Sequence, residues 1–217
     1  MVDFDTCRRV MVDSQVRPSD VTKFPIIEAM LKIPREAFVP DSQCHAAYMG
    51  DHVELAEGRV LLDPRMFAKM LESLDIRSDE FVLDIGSGFG CSSAVIAHMA
   101  EAVVALEQDP TMAENAAAIL AEHEIDNAVA VTGTLSEGAP QYSPYDVITI
   151  QGGIERLPDA IGAQLREGGR IAAIFVQSPP GECRIGIKQG GRINWRMSFN
   201  AHAPVLAGFE NRREFAL

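Results

Sequence analysis

The sequence predicts an α/β fold: a doubly wound, mostly parallel sheet with helices on both faces. Three observations predict it. From Phe81 onward, short runs of β-branched residues alternate with longer stretches of helix-forming composition. The runs are continuously apolar, as in strands covered on both sides, where a strand wetted on one face would alternate. A cluster of glycines, Gly86-Ser87-Gly88-Phe89-Gly90, stands between the first run and the helix that follows, where open α/β sheets turn around a ligand.

In chain order, residues 1–80 read as a helical N-terminal extension. Phe24, Ile27, Met30 and Leu31 recur at helical spacing, and Pro34 ends that helix. Pro64 opens another at its first turn, with Met66, Phe67, Met70, Leu71 and Leu74 as its apolar stripe. Between them, Gln43 to Asp63 has no clear period and is expected to cross the surface as a loop or short hairpin. Residues 81–176 form the α/β core. Its strands are Phe81–Ile85, Ala102–Leu106, Ala128–Val131, Asp146–Ile150 and Arg170–Val176, with helices from Ser92 to Met99 and Met112 to His123. Residues 177–217 turn through Ser178-Pro179-Pro180-Gly181 into two strands flanking Gln189-Gly190-Gly191-Arg192, a β-hairpin expected to close the far edge of the sheet. No linker composition divides the chain, so 1–217 is read as one domain.

Composition narrows the function. The chain has 217 residues, with 19 Lys+Arg against 31 Asp+Glu, a formal charge of −12. Non-specific nucleic-acid binding needs cations to replace phosphate counterions, and Arg8-Arg9 and Arg212-Arg213 are too short to make a basic arm. Nucleic-acid partners are thereby excluded. No run approaches the roughly 18 apolar residues of a membrane span, and the N-terminal segment lacks the features of a secretory signal. Cys7, Cys44, Cys91 and Cys183 lie far apart with no CxxC pairing, which suits reduced thiols in a cytoplasm. His45, His52, His98, His123 and His202 lack ligand spacing, so no metal is expected. A monomer acting on a protein or peptide carboxylate is the expected mode.

The chemistry concentrates at the glycines. Asp84-Ile85-Gly86-Ser87-Gly88-Phe89-Gly90 lets a ligand approach the backbone where a side chain would collide. A dinucleotide site wants glycine or alanine at the third position of GxGxxG, where Cys91 stands. An acid followed by GxGxG is instead the pattern of the S-adenosylmethionine sites of class I methyltransferases. A dinucleotide site and a ligand-free turn remain the alternatives. Glu107 ends the second strand, 23 positions after Asp84 (107 − 84), where an acid accepts hydrogen bonds from both hydroxyls of a ribose. Gln108 follows it. Thr134 and Leu135 after the third strand are placed by position near the adenine, and Gln151 after the fourth near the donor and acceptor. Asp84, Gly86, Ser87, Gly88, Gly90, Glu107, Gln108, Thr134, Leu135 and Gln151 are the candidate cofactor-binding residues. No Gly-Lys-Ser/Thr follows the glycines and no GxSxG occurs, which excludes a P-loop and a hydrolase elbow. The Asn/Asp-Pro-Pro-aromatic tetrad of many amine methyltransferases is also missing after the fourth strand.

Over roughly residues 20–210 the chain resembles the protein-L-isoaspartate O-methyltransferase family. Pro34-Arg35-Glu36-Ala37-Phe38-Val39-Pro40 is like its PRExFVP segment, and Ala47-Tyr48 like its AYxD element. Tyr145-Asp146-Val147-Ile148 and Leu165-Arg166-Glu167-Gly168-Gly169-Arg170 are like its YDxI and LxxGG segments. The resemblance implies methyl transfer from S-adenosylmethionine to the α-carboxylate of L-isoaspartyl residues in damaged protein. The last eight positions of the family's GxGQTISxP fall on residues 57–64. Leu62 stands at its serine position, Val60 at its threonine position and Gly50 at the aspartate of AYxD; Gly133-Thr134-Leu135 replaces Gly-Asp-Gly. Arg59 and Asp63 are the candidates for the missing polar contact to the acceptor. A relative methylating another acceptor, or a cofactor-binding protein without this activity, is the alternative.

Overall fold

The computed structural model describes residues 2–211. The Arg212-Arg213 pair and the last residues of the 177–217 region lie outside them. Helices α1 (Phe4–Met11), α2 (Phe24–Lys32) and α3 (Pro64–Leu74) precede the core, with a short hairpin of β1 (Val53–Ala56) and β2 (Arg59–Leu61) before α3. The core runs β3 (Phe81–Ile85), α4 (Cys91–Ala97), β4 (Ala102–Glu107), α5 (Pro110–Glu122), β5 (Ala128–Thr132), β6 (Tyr145–Ile154), α6 (Asp159–Gln164) and β7 (Leu165–Phe175). Strands β8 (Glu182–Gln189) and β9 (Arg192–Asn200) end the sheet.

The main sheet has seven strands in the order β5-β4-β3-β6-β7-β8-β9. The first five are parallel and the last two antiparallel, so the Gln189–Arg192 hairpin closes one edge as expected. The chain winds outward from β3 to β5, then crosses back to β6. That reversal between β3 and β6 is the switch point where an open parallel sheet opens a ligand crevice.

Strand residues alternate between two cores. Val82, Val103, Val147, Ala172 and Ile174 face one with α2, α3 and α4. Leu83, Val104, Leu106, Ile148, Ile150 and Ile171 face the other. The first face is the richer in helices; the second is covered by the short α6 through Ile161 and by Leu135, Leu206 and Phe209 from connecting segments. Strand β5 departs from the two-sided pattern: as an edge strand it is only partly buried, with Val129 exposed.

The extension differs more. Phe24, placed on the apolar stripe of its helix, is 70% exposed, and Ile26, Ile27, Ala29 and Met30 make the buried face. The helix does begin at Phe24, with Pro25 accommodated in its first turn, but its buried face starts at Ile26. Helix α1 has no counterpart in the sequence reading: half its residues are polar, and Asp3 caps it by accepting from the Thr6 N–H. The PRExFVP-like segment earns its form as a clamp. Buried Arg35 donates to the carbonyls of Ala47 (2.6 Å) and Leu62, tying the AY element to the strand leading into α3. Tyr48 donates to Glu36, and Arg8 from α1 donates to both side chains.

Candidate active site

Two carboxylates stand at the carboxyl edge of adjacent strands, Asp84 one residue before the end of β3 and Glu107 at the end of β4, and both are fully buried. Asp84, on β3, accepts from Ser92 Oγ (2.5 Å), Ser93 Oγ (2.6 Å), Thr149 Oγ1 (2.6 Å) and Gln151 Nε2 (2.7 Å). Burial pushes its carboxyl above the usual range, against the pull of those four donors. Its oxygens are spent inside the core, so Asp84 and Gln151 brace β3, α4 and β6 together beneath the glycine turn. Gly86, Gly88 and Gly90 all hold positive φ, which a side chain would strain. Gly90 caps α4 and packs against α5, where an added Cβ would lie 3.3 Å from Ala116.

Glu107, on β4, is joined to that turn by the Gly88 N–H at 2.8 Å. It also accepts from the N–H groups of Gln108 (2.7 Å) and Asp109 (3.1 Å). Its remaining capacity is taken by Arg59 of β2: Nη1 and Nη2 reach Oε1 and Oε2 at 2.7 Å each, and Nη2 also reaches the Gly86 carbonyl at 2.8 Å. Leu55 of β1 covers the turn as well, since a Cβ on Gly88 would come within 2.6 Å of its Cδ1. Leu206 lies over Gly86 and Gly152. Ser87 Oγ and Arg59 Nε are buried there without partners.

The other candidates divide. Exposed Gln108 and Thr134 flank Glu107, the loop of Thr134 being tied to it by the Gly133 N–H on the Glu107 carbonyl. Leu135 points into the second-face core. Arg59, expected on the acceptor side, sits instead on Glu107. Asp63 caps α3 by accepting from the N–H groups of Arg65 and Met66. Leu62, at the family's serine position, is 1% exposed among core residues. The sequence reading missed Leu55 and Leu206, apolar residues with no polar signature, and the reach of the hairpin over the glycines. Among the described residues no group of three or more His, Cys, Asp or Glu side chains is placed to hold a metal ion, and no helix is long and apolar enough to cross a membrane.

A parallel sheet reversing at β3/β6, with a glycine turn after its first strand and an acid ending its second, defines a class I methyltransferase fold. The chain belongs to the protein-L-isoaspartate O-methyltransferase family: residues 9–182 match the family model described as Protein-L-isoaspartate(D-aspartate) O-methyltransferase. It is 33% identical over 181 residues to protein-L-isoaspartate O-methyltransferase 2 of Anaeromyxobacter sp. (strain Fw109-5), covering 83% of this chain and 74% of that one. It is 34% identical over 190 residues to protein-L-isoaspartate O-methyltransferase of Methanoculleus marisnigri, covering 86% and 85%. Two solved structures share the fold. One, a protein-L-isoaspartate O-methyltransferase, matches with TM-score 0.79 at 23% identity, over 95% of this chain and 66% of its own. The other, a putative member from Plasmodium falciparum in complex with S-adenosyl-L-homocysteine, matches with TM-score 0.78 at 16% identity, over 95% and 99%.

Proposed function

We infer that the protein is an S-adenosylmethionine-dependent O-methyltransferase acting on the α-carboxylate of L-isoaspartyl residues in damaged proteins, as a cytoplasmic monomer. One contact carries this: the Gly88 N–H on Glu107 unites a glycine cradle and a ribose-type acid in one site. The site's chemistry suits the cofactor. Gly86 and Gly88 hold positive φ with no side chain, so a ligand can lie close against the backbone there. Ser87 has a buried hydroxyl that a polar ligand would satisfy. Glu107, once released by Arg59, would turn its carboxylate to the ribose hydroxyls, with Gln108 and Thr134 beside it. When bound, the sulfonium supplies an electrophilic methyl group.

The chain's own task is to hold and orient. A carboxylate acceptor is already ionised at pH 7, so no general base is required; alignment and exclusion of water are what remain. Beside Val176, at the carboxyl end of β7, a cleft of about 430 Å³ opens between the start of α3 and residues 178–181. Arg65, whose side chain is 60% exposed, and His202 line it. A local cation gives an acceptor carboxylate the attraction that a chain at −12 lacks, so we assign the acceptor peptide to this cleft.

Transfer of labelled methyl groups to an isoaspartyl peptide and its aspartyl twin tests this. Incorporation confined to the isoaspartyl peptide, and lowered at least tenfold by Arg65→Ala, is expected; equal labelling of both peptides overturns it. The core position of Leu62 favours a second reading, cofactor binding without transfer. Calorimetric binding of S-adenosylmethionine with no labelling of either peptide is its signature.

A further inference from the structure

The candidate cofactor site is filled by the chain's own hairpin. Glu107 receives five donors: Arg59 Nη1 and the Gln108 and Asp109 N–H groups on Oε1, and Arg59 Nη2 and the Gly88 N–H on Oε2. Five donors crowd the roughly four lone-pair sites of a carboxylate; without the guanidinium Oε1 keeps two N–H donors and Oε2 one, so room for a ribose opens chiefly on Oε2. The backbone donors belong to the glycine turn and to the β4–α5 junction and cannot leave without unfolding them. The guanidinium can. It arrives near the tip of a hairpin whose strands span four and three residues and bury only Val53 and Leu61 at the base, and two-stranded ribbons of that size are marginally stable alone. At its tip Ala56, Glu57 and Gly58 are exposed, and a Cβ on Gly58 would meet nothing within 4 Å. Leu55 fills the Gly88 cradle from the same hairpin. Arg59 therefore bonds the acid while Leu55 covers the glycine, both from one small element.

We propose that Arg59 is a built-in competitor for the cofactor. Its guanidinium occupies the Glu107 carboxylate that ribose hydroxyls must reach, so a nucleoside enters only as the β1–β2 hairpin withdraws. This rests on the S-adenosyl cofactor proposed above. The apparent dissociation constant is then the intrinsic one divided by the fraction of molecules with the hairpin withdrawn. Arg59 sets the affinity, and through it the cofactor concentration at which the protein switches on. Glutamine at residue 59, the residue of the family's GxGQTISxP at this place, has no charge to hold a carboxylate.

The test is calorimetric titration with S-adenosylhomocysteine, beside hydrogen exchange of residues 53–61. Arg59→Gln is expected to bind at least tenfold tighter than the wild type, and Arg59→Lys, a point charge without the fork, in between. Glu107→Gln is expected to weaken binding at least tenfold in either background. In the wild-type protein, saturating ligand is expected to speed exchange in the hairpin while slowing it in the glycine turn. Equal affinity of the wild type and a folded Arg59→Gln removes the competitor and leaves the cofactor reading standing. Slowed exchange in the hairpin of the liganded wild type removes it too. No binding by either folded protein at millimolar ligand removes both.

Discussion

Two arginine–carboxylate pairs of the same fork geometry stand at opposite edges of the sheet. At the amino edge, Arg170 of β7 reaches both oxygens of Glu80 at 2.7 Å. It also donates to the carbonyls of Leu74 (2.6 Å) and Asp75 (2.8 Å). Those are orphan acceptors at the end of α3, so Arg170 welds a helix terminus, the entry to β3 and β7 into one body. At the carboxyl edge, Arg59 holds Glu107 at the same 2.7 Å distances but leaves its Nε unpartnered, and it comes from a short hairpin buried only at its base, through Val53 and Leu61. Pair geometry does not separate the two. Their roles follow from what the arginine is anchored to, and from which edge of a parallel sheet ligands use.

Stability is the sharpest way to break the comparison. Arg170→Met strands buried Glu80 and two carbonyls, and breaking a buried ion pair from one side costs roughly 3–5 kcal/mol. Arg59→Gln leaves Glu107 its three N–H donors, with solvent within reach once the hairpin relaxes. It should cost about 1 kcal/mol. Urea denaturation of both variants without ligand measures the difference. Equal losses would make Arg59 a second weld.

Val53 and Leu61 pin the base of the hairpin in the first-face core, and the movable part ends short of Leu62. The Leu62 carbonyl is held by buried Arg35, and its side chain belongs to the first-face core. Leu62→Ser restores the family's residue, but it places a hydroxyl among apolar neighbours and opens a void. A loss of about 2–3 kcal/mol is expected, with no gain in methyl transfer to an isoaspartyl peptide. A folded Leu62→Ser protein with raised transfer would show instead that this strand can turn its side chain to the cleft, and would extend the moving element past β2.

Legibility followed the same division. Strands β3, β4, β6 and β7 and the glycine turn are read correctly because a two-sided burial pattern and a positive-φ requirement are each written in consecutive residues. The acid at 107 is read from spacing alone. Phe24 misleads because helical spacing does not say which stripe meets the core. The role of Arg59 is invisible because it depends on a hairpin folding back over residues 27 and 48 positions further along (86 − 59 and 107 − 59), and a lone arginine carries no sign of its partner. Asp84 and Glu107 look alike in sequence, as acids at strand ends. Only the donors around them separate a brace, satisfied from within, from a site with an exchangeable partner.

The weld also has a pH signature, smaller than its full loss because the bonds to Leu74 and Asp75 persist. Burial alone would raise the Glu80 carboxyl, but the Arg170 hydrogen bonds and the Arg77 N–H outweigh it, and the group sits below the ordinary glutamate range. A carboxyl lowered on folding contributes stability at neutral pH and loses it as pH falls from the ordinary glutamate value through the lowered one. The stability gap between the wild type and Arg170→Met should therefore be full near pH 7 and narrow below about pH 4.5. The gap that remains once Glu80 is protonated measures what Arg170 does for the two carbonyls. A gap constant from pH 7 to 3 would mean that Arg170 stabilises the end of α3 rather than the Glu80 charge, and the likeness between the two pairs would be one of shape only.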